Sequence, residues 1–211
     1  MNTQREPTAF LVDDEEAVRD SLSLVLEQAG IRCLAYPSAE AFLAEPLEER
    51  PGCAIIDLRM PGMDGLQLQE AMEQRGIGLP VIFLTGYGDI PTSVKAIKAG
   101  ALDFLTKPVS TATLLAAIEA GFAEDARLRA QAERSHSAQG RLATLTARER
   151  DVMVLAIEAL SNKEIARKLS ISHRTVEIHK ARVMKKAGAG NVLDLARIVR
   201  EAQHPAPATG D

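Results

Sequence analysis

At 211 residues the chain can hold one large domain or two small ones, and 46% hydrophobic residues are ample for real cores. The N-terminus Met1-Asn-Thr-Gln-Arg-Glu-Pro7 lacks an apolar signal core and no run approaches membrane-spanning length, so neither export nor insertion is indicated and the expected compartment is the cytoplasm. The net charge of −4 conceals an uneven split, with −11 over residues 1–125 and +7 over residues 126–211, which predicts an acidic domain joined to a basic one able to meet a polyanion.

Ala9-Phe-Leu-Val12 is a short apolar strand ending in Asp13-Asp14, and Val18, Leu22, Val25 and Leu26 then repeat at helical spacing until Gly30. Ile31 to Tyr36 is a second strand, and Ser38 caps a helix through Phe42 and Leu43. Cys53 to Asp57 is the third strand, stopped by Pro61 and Gly62; Asp64 to Gln74 is helical. Pro80-Val-Ile-Phe-Leu84 leads to Thr85-Gly86, Pro91 to Ala99 is a helix, and Leu102 to Thr106 is a fifth strand before Lys107-Pro108. Both cysteines, Cys33 and Cys53, fall in apolar strands and read as core residues. If those strands flank a common third strand, the two lie roughly 9 to 10 Å apart, beyond disulfide reach.

Five alternations of strand and helix predict a doubly wound parallel sheet, whose ligands bind outside the carboxyl ends of the strands. Those ends carry Asp13, Asp14, Asp57, Thr85 and Lys107. Taken alone, Asp57 could simply open a loop and Lys107 could be a strand-end lysine reaching for solvent. Together, three carboxylates repel one another unless a hard cation sits among them, and Mg²⁺ suits the few oxygens offered better than Ca²⁺.

Residues 8–122 resemble the receiver domain of two-component response regulators. The match is carried by Asp13-Asp14, the segment Asp57-Leu-Arg-Met-Pro-Gly-Met-Asp-Gly65, Thr85-Gly86, Phe104 and Lys107-Pro108. The resemblance implies a flavodoxin-like fold in which Asp57 accepts a phosphoryl group from a phosphohistidine of a sensor histidine kinase. It further implies Mg²⁺ held by Asp14, Asp57 and the main-chain carbonyl of Arg59, with Asp13 binding directly or through water. Thr85 and Lys107 would hold phosphoryl oxygens, a cis peptide would join Lys107 to Pro108, and self-phosphorylation and slow dephosphorylation would be regulatory chemistry rather than enzyme turnover. For Phe104 two readings stand side by side: a switch residue that swings inward with Thr85, or an ordinary strand phenylalanine in the core.

From Ser110 a helix runs through Leu114, Leu115, Ile118 and Phe122 into a polar stretch, read as a partly helical, solvent-bridging linker over 126–141 with its break at Gly140. The expected division is a receiver over 1–125, that linker, a basic four-helix domain over 142–203 and a disordered tail over 204–211. Thr146 and Glu149 form a capping box for the first helix of the second domain, followed by helices Asn162–Leu169, His173–Ala187 and Asn191–Gln203.

Helix, tight turn and basic helix is the helix-turn-helix arrangement, whose second element enters the major groove. Residues 142–203 resemble the LuxR-type output domain through Leu145-Thr-Ala-Arg-Glu149, Asn162-Lys-Glu-Ile-Ala166 and Ile171-Ser-His-Arg-Thr-Val-Glu-Ile-His-Lys180, and the whole chain resembles a FixJ-type regulator. Two positions depart from that family: Ala159 stands where Gly is usual, and Ala187 where a large apolar residue is usual. Val176 and Val183 should face the core. Glu177, Ile178 and Ala181 should then meet base edges, while Thr175, Lys180, Arg182, Lys185 and Lys186 hold phosphates and Arg174 completes the DNA-binding set.

The implied partners are a sensor histidine kinase, double-stranded DNA, RNA polymerase and, after phosphorylation, a second copy of the chain. That copy is expected to dock through the fourth helix and fifth strand, around Val94, Lys95, Lys98 and Phe104. A haloacid-dehalogenase-type phosphohydrolase would need a second Asp two residues beyond Asp57, where this chain has Arg59, and a pure adaptor would leave the basic C-terminal helices unexplained.

Overall fold

The structure, a computed structural model, describes residues 6–45, 50–86 and 100–203. The expected helix over 91–99 and the tail over 204–211 lie outside the described residues, as do Val94, Lys95 and Lys98. The chain divides into two compact units between Leu128 and Arg129.

The first unit contains β1 (Thr8–Val12), α1 (Glu16–Gln28), β2 (Arg32–Tyr36), α2 (Ala39–Leu43), β3 (Gly52–Asp57), α3 (Gly65–Gln74), β4 (Val81–Thr85) and β5 (Asp103–Thr106); α4 (Thr111–Ala143) begins in it. All strand pairs are parallel and the order is β2-β1-β3-β4-β5. Strand alternation divides the core in two. Phe10, Val12, Ala54, Ile56 and Phe83 face Phe42, Leu68 and Met72 of α2 and α3, while Ala9, Leu11, Cys53, Ile55 and Leu84 face Leu26 of α1 and Leu114 and Ile118 of α4. Phe42 is fully buried and meets Phe10 and Tyr36 edge-on, with centroids 6.2 and 5.4 Å apart. Burial of one such side chain is worth about 1.5–3 kcal/mol. Cys33 and Cys53 both stand opposite Ala9 across β1, and both are free thiols.

Caps explain where the helices start. Ser38 Oγ accepts from Ala41 N–H, Asp64 and Gln67 form a reciprocal box, and Ser110 Oγ accepts from Thr113 N–H. The expected break at Gly140 is absent, because α4 runs unbroken through 126–141 to Ala143. Nor is that stretch polar all round: Ser135 and Ala138 are buried, Leu142 packs into the core of the second unit, and Gln139 Nε2 donates to Ala202 O at 3.0 Å. Small side chains made a packed face look like a solvated one.

The second unit holds α5 (Ala147–Ile157), α6 (Asn162–Leu169), α7 (His173–Ala187) and α8 (Val192–Gln203). Val152, Ala156, Ile165 and Val176 join α5, α6 and α7 in one core cluster; Leu145, Met153, Val183, Ala187, Leu195 and Val199 join α5, α7 and α8 in another. Helices α5, α6 and α7 end alike. Two residues past the end of α6 and α7, and three past that of α5, an N–H donates back to a carbonyl in the last turn, as Leu160 does to Leu155, Ile171 to Ala166 and Ala189 to Met184. This motif requires a left-handed residue just before that donor. Gly188 fills the position after α7, but Ala159 and Ser170 fill the other two with φ of 62° and 53°.

Candidate functional site

At the carboxyl end of the sheet, β1 delivers Asp13 and Asp14, β3 delivers Asp57, β4 delivers Thr85, and Lys107 follows β5. Asp13, Asp57 and Thr85 are buried and Asp14 is exposed. One oxygen from each of Asp13, Asp14 and Asp57 lies within 4.8 Å of the others. Two Mg–O bonds of about 2.1 Å span at most about 4.2 Å, so these carboxylates fit a small hard cation after closing by a fraction of an ångström.

Lys107 is the counter-charge within this cluster. Its Nζ lies 2.6 Å from Asp13 Oδ2, 3.5 Å from Asp57 Oδ2 and 4.0 Å from Glu15 Oε1. Burial pushes the Asp57 carboxyl above its ordinary range despite the opposing pull of Lys107. Burial also works against the Lys107 ammonium, yet the hydrogen bond to Asp13 and the Asp57 and Asp13 charges hold its pKa above the usual value. The backbone N–H of Arg59 hydrogen-bonds to Asp57, and the Arg59 side chain points into solvent. The Lys107–Pro108 peptide is cis, and Lys107 N–H donates to Thr85 O at 2.7 Å, locking the end of β5 beside β4. Phe104 is half-buried against the core cluster of Phe10 and Phe83.

Three contributors were not foreseen. Arg19 donates to the Asp13 carbonyl at 2.8 Å, and Glu15 N–H donates to Asp13 Oδ1 at 2.9 Å, so the start of α1 fixes the acidic loop. A Cβ on Gly65 would stand 2.5 Å from the Asp57 carbonyl oxygen, so the first residue of α3 must be glycine for the helix to lie against the Asp57 backbone. The Asp64-Gly65 pair carried that signal in the sequence, behind its more obvious role as a helix start.

In the second unit α7 turns Val176, Val183 and Ala187 into the core and Arg174, Ile178, Ala181, Arg182 and Lys185 toward solvent. Ala187 is fully buried at the position where the LuxR-type family usually has a larger apolar residue. Glu177 is half-exposed, 3.2 Å from Arg174 Nη1 and 3.6 Å from His173 Nδ1. The Thr175 hydroxyl lies 2.7 Å from that of Ser172, the N-cap residue. Lys180 Nζ donates to Asn162 Oδ1 at 2.9 Å. Lys186 departs furthest from expectation: its Nζ donates to Glu149 Oε2 at 2.6 Å and to Thr144 O at 3.1 Å. As a phosphate ligand it would first have to leave an almost buried carboxylate. The Lys186 bond, aided by the Thr146 backbone, brings the Glu149 carboxyl down to about 2.

Among the described residues no helix is long and apolar enough to cross a membrane. Residues 9–119 match the response regulator receiver domain family and residues 143–199 match the luxR family of bacterial regulatory proteins. The chain is 46% identical over 195 residues to the C4-dicarboxylate transport transcriptional regulatory protein DctR of Rhodobacter capsulatus, covering 90% of this chain and 98% of that one. It is 40% identical over 188 residues to the transcriptional regulatory protein FixJ of Azorhizobium caulinodans, covering 89% of each. Among solved structures, response regulator StyR superposes with a TM-score of 0.79 at 39% identity, over 93% of this chain and 99% of that one. Full-length FixJ from B. japonicum gives 0.58 at 37% identity, over 95% and 98%.

Proposed function

Because the chain belongs to the response regulators that join a receiver to a LuxR-type output domain, and is a phosphorylation-regulated, DNA-binding transcription regulator, we propose that Asp57 is the residue phosphorylated and that Mg²⁺ is the cofactor. The observation that carries this reading is the surplus of carboxylate around one ammonium, with Asp13, Asp14 and Asp57 converging within 4.8 Å and Lys107 bridging two of them.

An Asp57 oxygen attacks phosphorus as the P–N bond of a sensor kinase phosphohistidine breaks, and the imidazole leaves neutral because its other ring nitrogen already carries a proton. Mg²⁺ held by Asp13, Asp14, Asp57 and the Arg59 carbonyl would supply the charge neutralisation that a weak carboxylate nucleophile needs. Lys107, already 3.5 Å from Asp57, exchanges carboxylate contacts for a phosphoryl oxygen, and the Thr85 hydroxyl donates to another. Movement of Thr85 draws on Phe104, which stands on β5 opposite Phe83, two residues before Thr85 on β4. Slow loss of the phosphoryl group to water resets the switch.

The output reading assigns Glu177, Ile178 and Ala181 to base edges and Arg174, Thr175, Lys180, Arg182 and Lys185 to positioning on the duplex. Phosphorylation joins two chains, so that paired half-sites are read together, and recruits RNA polymerase in the cytoplasm. To move from about 1% to 99% active, phosphate must favour the active state by roughly 5.5 kcal/mol.

Acetyl phosphate labelling is the test. Asp57→Asn should abolish incorporation with the circular dichroism spectrum unchanged, and sedimentation should show the unaltered chain dimerising with beryllofluoride and Mg²⁺ while the variant stays monomeric. Undiminished labelling of the variant refutes the assignment of Asp57, and an unaltered chain equally dimeric with and without beryllofluoride refutes the coupling.

A further inference from the structure

Arg148 and Glu149 are neighbours in the first turn of α5, and they send opposite charges to two separate places on the helix-turn-helix. Arg148 Nη2 donates to the carbonyl of Leu169, the last residue of α6. In a continuing helix that oxygen would accept from His173 N–H, but α6 stops at Leu169 and the left-handed Ser170 turns the chain away. A guanidinium there meets both an orphan acceptor and the negative end of the helix dipole. Only Ser170, in the left-handed conformation, and Ile171, packed in the core, separate Leu169 from Ser172, the N-cap of α7. Fixing the Leu169 carbonyl therefore fixes the direction in which α7 is launched.

Glu149 takes the other end. Its Oε2 accepts from Thr146 N–H at 2.9 Å and from Lys186 Nζ, in the last turn of α7, at 2.6 Å. Helix α7 is about 22 Å long, so a helix held at one end only could swing its base-reading face out of register, whereas recognition needs placement within about 0.5 Å. Val176, Val183 and Ala187 anchor the buried side, but apolar packing resists sliding and rotation less directionally than a bond at each end.

We propose that Arg148 and Glu149 form a two-point clamp that sets the presentation of α7 to DNA, with Arg148 a positioning residue that does not itself touch the duplex. The clamp rests on α7 being the base-reading helix, and the test separates the two. It uses the full phosphorylated chain and two probes: a duplex selected by the unaltered chain from a random pool, and poly(dI-dC). Arg148→Met should weaken binding to the selected duplex roughly tenfold, the cost of one lost base contact, and to poly(dI-dC) less than about twofold. Its salt slope should stay unchanged, whereas Lys185→Ala lowers the slope by about one on both probes. Glu149→Gln should show the same split as Arg148→Met, and Arg148→Lys, which keeps a donor, should recover most of the loss. Equal proportional losses on both probes would mean only that folded protein has been lost, and would overturn the clamp. A slope lowered by about one in Arg148→Met would overturn it too, by making Arg148 a phosphate ligand. If Ile178→Ala costs the selected duplex nothing, the assignment of α7 itself falls; if Ile178→Ala weakens binding and Arg148→Met does not, the clamp alone falls.

Discussion

Lys107 in the first unit and Lys186 in the second each hold a buried carboxylate at 2.6 Å, yet their surroundings differ in charge balance. Lys107 stands among Asp13, Asp57 and Glu15, with Asp14 beside them, so one cation serves several anions. Lys186 meets one carboxylate, Glu149, whose same oxygen also accepts from the Thr146 backbone N–H. A surplus of like charge is tolerated only where a ligand of the other sign will come, whereas a balanced pair has nothing left to recruit. On the proposed function, the same geometry serves a switch in one place and a scaffold in the other.

The largest expected effect comes from removing the switch lysine. Lys107→Met leaves Asp13 buried without its cation and should destabilise the first unit by about 3 kcal/mol in EDTA, the low end for a broken buried pair because Lys107 keeps some solvent contact. Mg²⁺ should then raise the melting temperature of the variant more than that of the unaltered chain, since ion and ammonium share the same carboxylates. Equal shifts in the two proteins would break the comparison.

A smaller effect is expected from pH on the scaffold pair. The folded Glu149 carboxyl lies at about 2 against an ordinary 4.5. Its contribution to stability is therefore complete above the ordinary value and is lost as pH falls through 4.5 toward about 2. Glu149→Gln should remove that part of the acid sensitivity of the DNA-binding unit, read from its fluorescence-labelled or calorimetric transition between those pH limits. An unchanged acid limb would show that Lys186 does not hold the ionised form.

The smallest effect concerns backbone strain beside the scaffold. Ala159, at φ 62°, carries a Cβ in a conformation that costs an alanine roughly 1 kcal/mol, so Ala159→Gly should stabilise the second unit by up to about 1 kcal/mol in urea denaturation, after the entropy of the added glycine is deducted. Destabilisation instead would show that the methyl group packs usefully.

Much of this architecture was legible because its signals are local. Apolar runs that stop at Asp13, Asp57 and Thr85 announce strands and their ends together, and Ser172, Thr146 and Ser161 announce helix starts within a residue. The helix α6 and the helix α7 were readable to their bounds because a cap opens each and a polar turn closes it. Signals that depend on tertiary contact were not legible. Nothing in the basic sequence of α7 separates Lys185, which faces solvent, from Lys186, which turns inward to Glu149. Gly140 looked like a break because interior glycine lowers helix propensity, but a single glycine costs only about 1 kcal/mol, and α4 continues because Ser135, Ala138 and Leu142 are packed on either side of it. The clearance of Gly65 from Asp57 likewise depends on where α3 lies, which spacing alone does not state.

The placement of the two thiols has a practical consequence for following the first unit as it opens. Cys33 lies on the edge strand β2 and Cys53 on the interior strand β3, opposite the same residue of β1. Burial pushes the Cys53 thiol up to about 12 and shields it completely while the sheet is closed, whereas Cys33 is half-buried, its thiol raised by burial to a lesser depth. Alkylation of Cys53 therefore requires opening, and the two sites report different events: fraying of one edge speeds reaction at the half-buried Cys33, while Cys53 waits for separation of strands at the centre. The native chain carries its own pair of probes for distinguishing local from global unfolding of the sheet.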